Sequence, residues 1–99
     1  MMTITQEKSG SKLTLHIAGR IDTKTAPELE QTVREALEGL TELTFDLKET
    51  AYISSAGLRI LLIAQKRMNK QGKMTVTNAN SDLMDILEVT GFTDILTIE

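Results

Sequence analysis

The sequence predicts an α/β fold: a single domain with a mixed, mainly parallel sheet, an antiparallel edge hairpin and helices packed against it, in the order ββαβαβαβ. Three observations carry this. Short runs alternate apolar and polar residues with the period of a half-buried strand. Longer runs place apolar residues at helical spacing. Each helical run lies between two strand runs, and crossovers of one hand then bring the strands into parallel pairing. The 99 residues, 40% of them hydrophobic, suffice for one core and hardly for two, so residues 1–99 are expected to form one domain.

The first two strands are Thr3–Lys8 and Lys12–Ala18, separated by Ser9-Gly-Ser11. In the second, Leu13, Leu15 and Ile17 alternate with Lys12, Thr14 and His16, which describes a hairpin with one buried face. His16 is the only histidine and falls on the polar side, so it is expected to face solvent and is a poor candidate for catalysis. Gly19–Asp22 ends this strand. Thr25 and Glu28 are then spaced as a capping box, and Pro27 is tolerated in a first turn whose amides lack intrahelical partners. Leu29, Val33, Ala36 and Leu37 continue a helix expected over residues 26–38, with Gly39 as a left-handed stop.

Leu43–Leu47 is rich in strand-forming residues, with Asp46 near its carboxyl end. A loop containing Tyr52 and Ile53 follows. Leu58, Leu61, Leu62, Gln65 and Met68 then describe one face of the most hydrophobic helix, which Gly72 closes. Lys73–Thr77 is a further strand, Asn78–Ser81 supplies turn and cap residues, and Leu83, Met84, Ile86 and Leu87 form a third helix stopped by Gly91. Phe92 packs, and Ile95–Ile98 is expected as a last strand. The five methionines are dispersed and serve mainly to fill the core.

Composition excludes several classes of function. The formal charge of −3 is spread along the chain, and Lys66, Arg67, Lys70 and Lys73 fit a solvated helix face and its last turn. With aromatics at 3%, neither the concentrated basic face nor the stacking platforms of a nucleic-acid binder are present. No cysteine is available for a disulfide, a thiolate zinc site or a thiol nucleophile. The amino-terminal residues lack a signal-peptide core, and no stretch reaches the roughly 18 apolar residues that span a bilayer. No membrane insertion and a cytoplasmic location are therefore expected.

The functional question narrows to Ser54 and Ser55, between the loop and the most hydrophobic helix. The ordinary role of a serine there is to cap the helix, contributing about 1 kcal/mol. Two adjacent serines need supply only one cap, which leaves the other hydroxyl free. Ala56 and Gly57 keep the surface around them low, open to another protein's active site. Nucleophilic catalysis lacks a partner, because His16 lies mid-strand and the Gly-x-Ser-x-Gly elbow is absent; a pairing with Lys48 has only its spacing to recommend it. A Walker-type nucleotide loop is also absent. A phosphate attached at this helix start is physically acceptable, since free amides and the helix dipole favour an anion.

Ile53–Leu62 resembles the central motif of STAS domains, specifically of the bacterial anti-sigma factor antagonists (anti-anti-sigma factors). Leu15–Asp22 followed by Thr25-Ala26 is similar to the family's segment before its first helix, and Leu87–Phe92 to its terminal helix and stop. The resemblance spans nearly the whole chain and implies a STAS domain over residues 1–99. It further implies that Ser55, two positions before the glycine of the motif, is a phosphate acceptor. The implied partners are an anti-sigma factor that is also a serine kinase, bound only by the unmodified antagonist, and a metal-dependent serine phosphatase that resets the switch. ATP and metal belong to those partners, so no cofactor and no metal are expected on this chain, and no enzymatic activity. Asp22, Ser54, Ser55, Ala56 and Gly57 are the expected partner-binding residues. Many relatives have Asp-Ser-Ser/Thr-Gly, whereas here Ser54 stands in the place of the aspartate and is an alternative acceptor. A second role, as a constitutive interaction subunit of a transporter or signalling assembly, needs the serines only as caps.

Overall fold

The computed structural model describes residues 1–99. The elements are β1 (Met2–Ser9), β2 (Lys12–Ile21), α1 (Ala26–Ala36), β3 (Glu42–Asp46), β4 (Thr50–Ile53), α2 (Ser55–Gln71), β5 (Lys73–Thr77) and α3 (Ser81–Val89), followed by a 3₁₀ turn at Phe92–Asp94. Strands run in the order β1-β2-β3-β5, antiparallel between β1 and β2 and parallel elsewhere, as the α/β class requires. β2 is long enough to have two successive neighbours on one edge. Lys12–His16 pair with β3, and Gly19–Ile21 pair with β4.

β4 is the first departure from the expected order, because Tyr52 and Ile53 lie in a strand and not in a loop. Its cause is burial at both ends. Thr50 and Ile53 face inward, and the Thr50 hydroxyl donates to the Ile17 carbonyl at 2.6 Å, so a polar side chain enters the core already satisfied. The second departure is at the carboxyl terminus, where the expected strand over Ile95–Ile98 reduces to one parallel bridge between Ile98 and Val76. The amides of Ile95 and Leu96 are used by the preceding turn, both donating to the Phe92 carbonyl, so no longer ladder can form. The order is therefore ββαββαβα, within the same class of fold.

Alternation sets the layers. Leu13, Leu15 and Ile17 of β2, Leu43 and Phe45 of β3, and Met74 and Val76 of β5 are buried, while Thr14, His16, Thr44, Asp46, Thr75 and Thr77 on the other face are only half-covered. The buried face receives Leu29 and Val33 from α1, Leu58, Leu61, Ala64 and Met68 from α2, and Leu83 and Leu87 from α3 in one continuous cluster. Each fully buried aliphatic side chain contributes about 1.5–3 kcal/mol relative to exposure. Gln71, the last residue of α2, donates to the carbonyls of Leu37 and Leu40 at 2.6 and 2.8 Å and thereby satisfies the chain leaving α1.

Both ends of α1 differ from expectation. α1 stops at Ala36, and no capping box forms at its start, because the Thr25 hydroxyl is taken up by the preceding turn. Gly72 closes α2 as expected, with an extended backbone at φ 174°. Its glycine requirement is steric: a Cβ there would lie 1.9 Å from the Thr41 carbonyl oxygen.

Candidate functional site

The site forms where the parallel strands β2 and β4 end side by side. Ile21 and Ile53 are register partners, and the Ser54 amide donates to the Ile21 carbonyl at 2.8 Å as a last rung of the ladder. This fixes the phase of everything after it. Ser54 has extended dihedrals (φ −90°, ψ 175°), so it is the N-cap of α2, and its hydroxyl oxygen accepts the Gly57 amide at 3.3 Å. Ser55 is then the first helical residue, exposed, with a hydroxyl that has no hydrogen-bond partner within the chain. The two serines are thus distinguished by where the strand stops.

Gly57 is buried one turn in. A Cβ on it would lie 2.6 Å from Ile21 Cγ2 and 2.7 Å from Ile53 Cγ1. Its missing side chain lets the helix start press against the two strand ends. Of the five residues expected to meet a partner, Ser55 is exposed, Asp22, Ser54 and Ala56 are half-buried, and Gly57 is buried against the two strand ends.

Asp22 follows Ile21 and is brought to the same end of the sheet as Ser54. Its Oδ1 accepts the amides of Thr25 at 3.1 Å and Lys24 at 3.0 Å, and the Thr25 hydroxyl accepts the Asp22 amide at 2.8 Å while donating to the Arg20 carbonyl at 2.8 Å. The loop is tied into a small closed turn. Chiefly the Thr25 amide, with that of Lys24, the Thr25 hydroxyl and the Arg20 guanidinium 3.8 Å away, holds the Asp22 carboxyl below the usual aspartate range. Arg20 in turn sits 4.4 Å from the ring centre of Tyr52, its register partner in β4. The pairing of Arg20 with Tyr52 across two strands is not legible in the sequence, because it depends on β4 lying beside the end of β2.

Neither serine hydroxyl is hydrogen-bonded to a histidine, lysine or carboxylate. Lys48 makes no hydrogen bond or ion pair with them; its backbone amide donates to Asp46. His16 is committed elsewhere, on the half-covered sheet face. Its Nδ1 is 2.7 Å from Asp46 Oδ2 and its Nε2 2.9 Å from Glu7 Oε1, so the ring bridges β1 and β3 across β2. The two carboxylates, Glu7 foremost, raise the imidazole pKa. Asp46 is held below the ordinary aspartate range, first by the Asn78 side-chain amide and then by the Lys48 amide and His16. A shallow depression of about 250 Å³ lies beside this group, lined by Thr5, Ala18, Lys48 and Glu49 among others.

The chain matches the family model described as Mlab, STAS domain over residues 4–97. It is 30% identical over 97 residues to the anti-sigma-B factor antagonist of Listeria monocytogenes, covering 95% of this chain and 84% of that one. Among solved structures it resembles an anti-sigma factor antagonist from Mycobacterium paratuberculosis, with a TM-score of 0.90 at 23% identity over 99% of this chain and 85% of the other. It also resembles the Bacillus cell fate determinant SpoIIAA in its phosphorylated form, with a TM-score of 0.77 at 11% identity over 98% of this chain and 91% of that one. These two likenesses show the fold. No helix of the protein is long and apolar enough to cross a membrane. By the family match, the relatives and the fold, the chain belongs to the STAS domain family, among the anti-anti-sigma factors.

Proposed function

We propose that the protein is a phosphorylation-controlled anti-sigma factor antagonist: the surface around Ser55 binds an anti-sigma factor serine kinase, which releases a sigma factor, and phosphorylation of Ser55 ends the association. The observation that carries this reading is the division of labour at the helix start. Ser54 caps α2, while Ser55 is exposed with an uncommitted hydroxyl. The antagonist role comes from relatives named for it, and SpoIIAA, of similar fold, is known in a phosphorylated form.

The chain is substrate and not catalyst. With His16 held by Glu7 and Asp46, no base of its own activates either serine. The kinase supplies ATP, metal and base. The Ser55 Oγ–P bond forms as the bond to the departing ADP oxygen breaks, and the hydroxyl proton passes to the kinase. A metal-dependent phosphatase reverses the state by hydrolysis, releasing inorganic phosphate. The added −1.5 to −2 charges, roughly, placed in a close interface without compensation cost several kcal/mol, and about 1.4 kcal/mol already changes affinity tenfold. Asp22, Ser54 and Ala56 flank the acceptor and complete the contact surface.

The test is incubation with a candidate anti-sigma kinase, mapping of phosphate by mass spectrometry and measurement of affinity by calorimetry. Modification at Ser55, lost in Ser55→Ala and retained in Ser54→Ala, is the expected result, with Ser55→Asp binding at least about tenfold more weakly. Ser55→Asp places an acid in the first turn of α2, which has none, so its stability should rise by about 0.3–1 kcal/mol and lost binding cannot be ascribed to unfolding. Absence of phosphate at Ser55, with unchanged affinity in Ser55→Asp, would sink the reading. Recovery of the protein from native extract with membrane components and no kinase would favour a constitutive transporter subunit instead.

A further inference from the structure

We infer that Arg59 receives the phosphate once Ser55 carries it, a positioning role inside the same chain that rests on Ser55 being the acceptor. Ser55 and Arg59 occupy positions i and i+4 of α2, and both are exposed. Residues so spaced are neighbours on a helix surface, with Cβ atoms about 5–6 Å apart.

The other arginines all have partners. Arg20 is 3.8 Å from Asp22 and lies over Tyr52, Arg34 is 2.8 Å from Glu30, and Arg67 donates to Gln71 at 3.2 Å. Arg59 has no hydrogen bond and no ion pair. The reason is in the sequence: the residues one turn away on its own helix are Ser55 and Ala56 before it and Leu62 and Ile63 after it, none of them a carboxylate. The only polar group among the four is the proposed acceptor. Asp22, the carboxylate of the adjoining loop, is already taken by the amides of Lys24 and Thr25 and by Arg20.

A guanidinium presents a planar fork that fits two phosphate oxygens, which an ammonium does not. Phosphorylation then changes two features of the surface at once. It adds negative charge at Ser55, and it engages an arginine that in the unmodified protein is free to pair with a carboxylate of the bound partner. The kinase partner therefore meets an exposed cation before modification and a neutralised, immobilised one after it.

Phosphoserine incorporated at position 55 of the full chain during translation tests this without any kinase. The readout is a ³¹P NMR titration of the phosphate's second ionisation, which lies near pH 6 for an unperturbed phosphoserine. With Arg59 present the ionisation should fall roughly half a pH unit below its value in Arg59→Gln, and Arg59→Lys, which keeps the charge and loses the fork, should lie between. Amide NMR spectra of the unmodified Arg59→Gln chain should match those of the parent, because the side chain is exposed and unpartnered. An identical titration with Arg59 and with Gln at this position overturns the proposal. That outcome leaves the acceptor assignment standing, since kinase labelling decides the latter; conversely, a failed labelling experiment together with a shifted titration would remove Ser55 as acceptor while leaving the pairing intact.

Discussion

The start of α2 and the His16 group are both polar clusters at the edge of the core, and they are built in opposite ways. Around His16 every group is answered: the two ring nitrogens by Asp46 and Glu7, and the remaining Asp46 oxygen by Asn78 and the Lys48 amide. At the start of α2 only the inward half is satisfied, through the Ser54 cap and the Gly57 contact, while Ser55 and Arg59 face outward without partners. The closed network ties β1, β2 and β3 together through His16, with both ring nitrogens committed. A half-open one is what a transient partner or a modifying enzyme can use.

The inward half is where the largest effect should appear. Gly57→Ala puts a methyl within 2.6–2.7 Å of two isoleucines that are almost wholly buried and stiff at χ1. Overpacking of this kind costs about 1–3 kcal/mol, and the better helix propensity of alanine offsets at most about 1 kcal/mol of it. Chemical denaturation should therefore show a net loss of up to about 2 kcal/mol, toward the upper end because both contacts fall on branch atoms of buried side chains. A neutral or stabilising Gly57→Ala would mean that α2 can slide outward freely, and the contrast between a rigid inner and an open outer half would fail.

The next effect separates the serines. Ser54→Ala removes the side-chain acceptor of the Gly57 amide and should cost about 1 kcal/mol, whereas Ser55→Ala removes a hydroxyl with no partner and should stay within about 0.5 kcal/mol. Paired thermal melts of the two variants check this. Equal losses would show that Ser55 also contributes to the cap.

Much of this was legible in the sequence because it depends on local periodicity. The hairpin, α1, α2 and α3 follow from spacing alone, as do the half-exposed position of His16 and the presence of a cap among Asn78–Ser81, which proves to be Asn80. What could not be read depends on residues distant in the chain. Thr50–Ile53 is too short to announce a strand and becomes one only because the far end of β2 offers it an edge. Ile95–Ile98 has the composition of a strand, yet its first amides are consumed by the turn before it. The capping box at Thr25 fails because the hydroxyl has a stronger claim in the Asp22 turn. Which serine caps α2 was open in the sequence for the same reason: the phase is set by the rung between Ser54 and Ile21, 33 positions apart. The environment of His16 was hidden likewise, since Glu7 and Asp46 reach it only through strand register.

The closed cluster predicts the smallest effect, and one with a sign. His16 is partly exposed, so water and salt screen its ion pairs. Its pKa in the folded state is raised above the value near 6.5 of an unfolded histidine, because Glu7 from β1 and Asp46 from β3 both accept from the protonated ring; Lys48 and Glu49, which line the adjacent depression, are the other charges nearby. A raised folded-state pKa means that the native state binds the proton more tightly. The stabilisation is thus fully present below about pH 6.5 and is lost as pH rises through the higher folded value. The depressed pKa of Asp46 acts in a separate window, contributing above the unfolded aspartate range and fading as pH falls through the folded value, so the two do not cancel between neutral and mildly alkaline pH. Unfolding free energies measured from pH 6 to 9 should therefore decline in the parent protein relative to His16→Gln, in which this component is absent. Parallel curves for the two proteins would mean that the ring binds its proton equally in the folded and unfolded states, and the contrast between a closed cluster at His16 and an open surface at α2 would lose its electrostatic half.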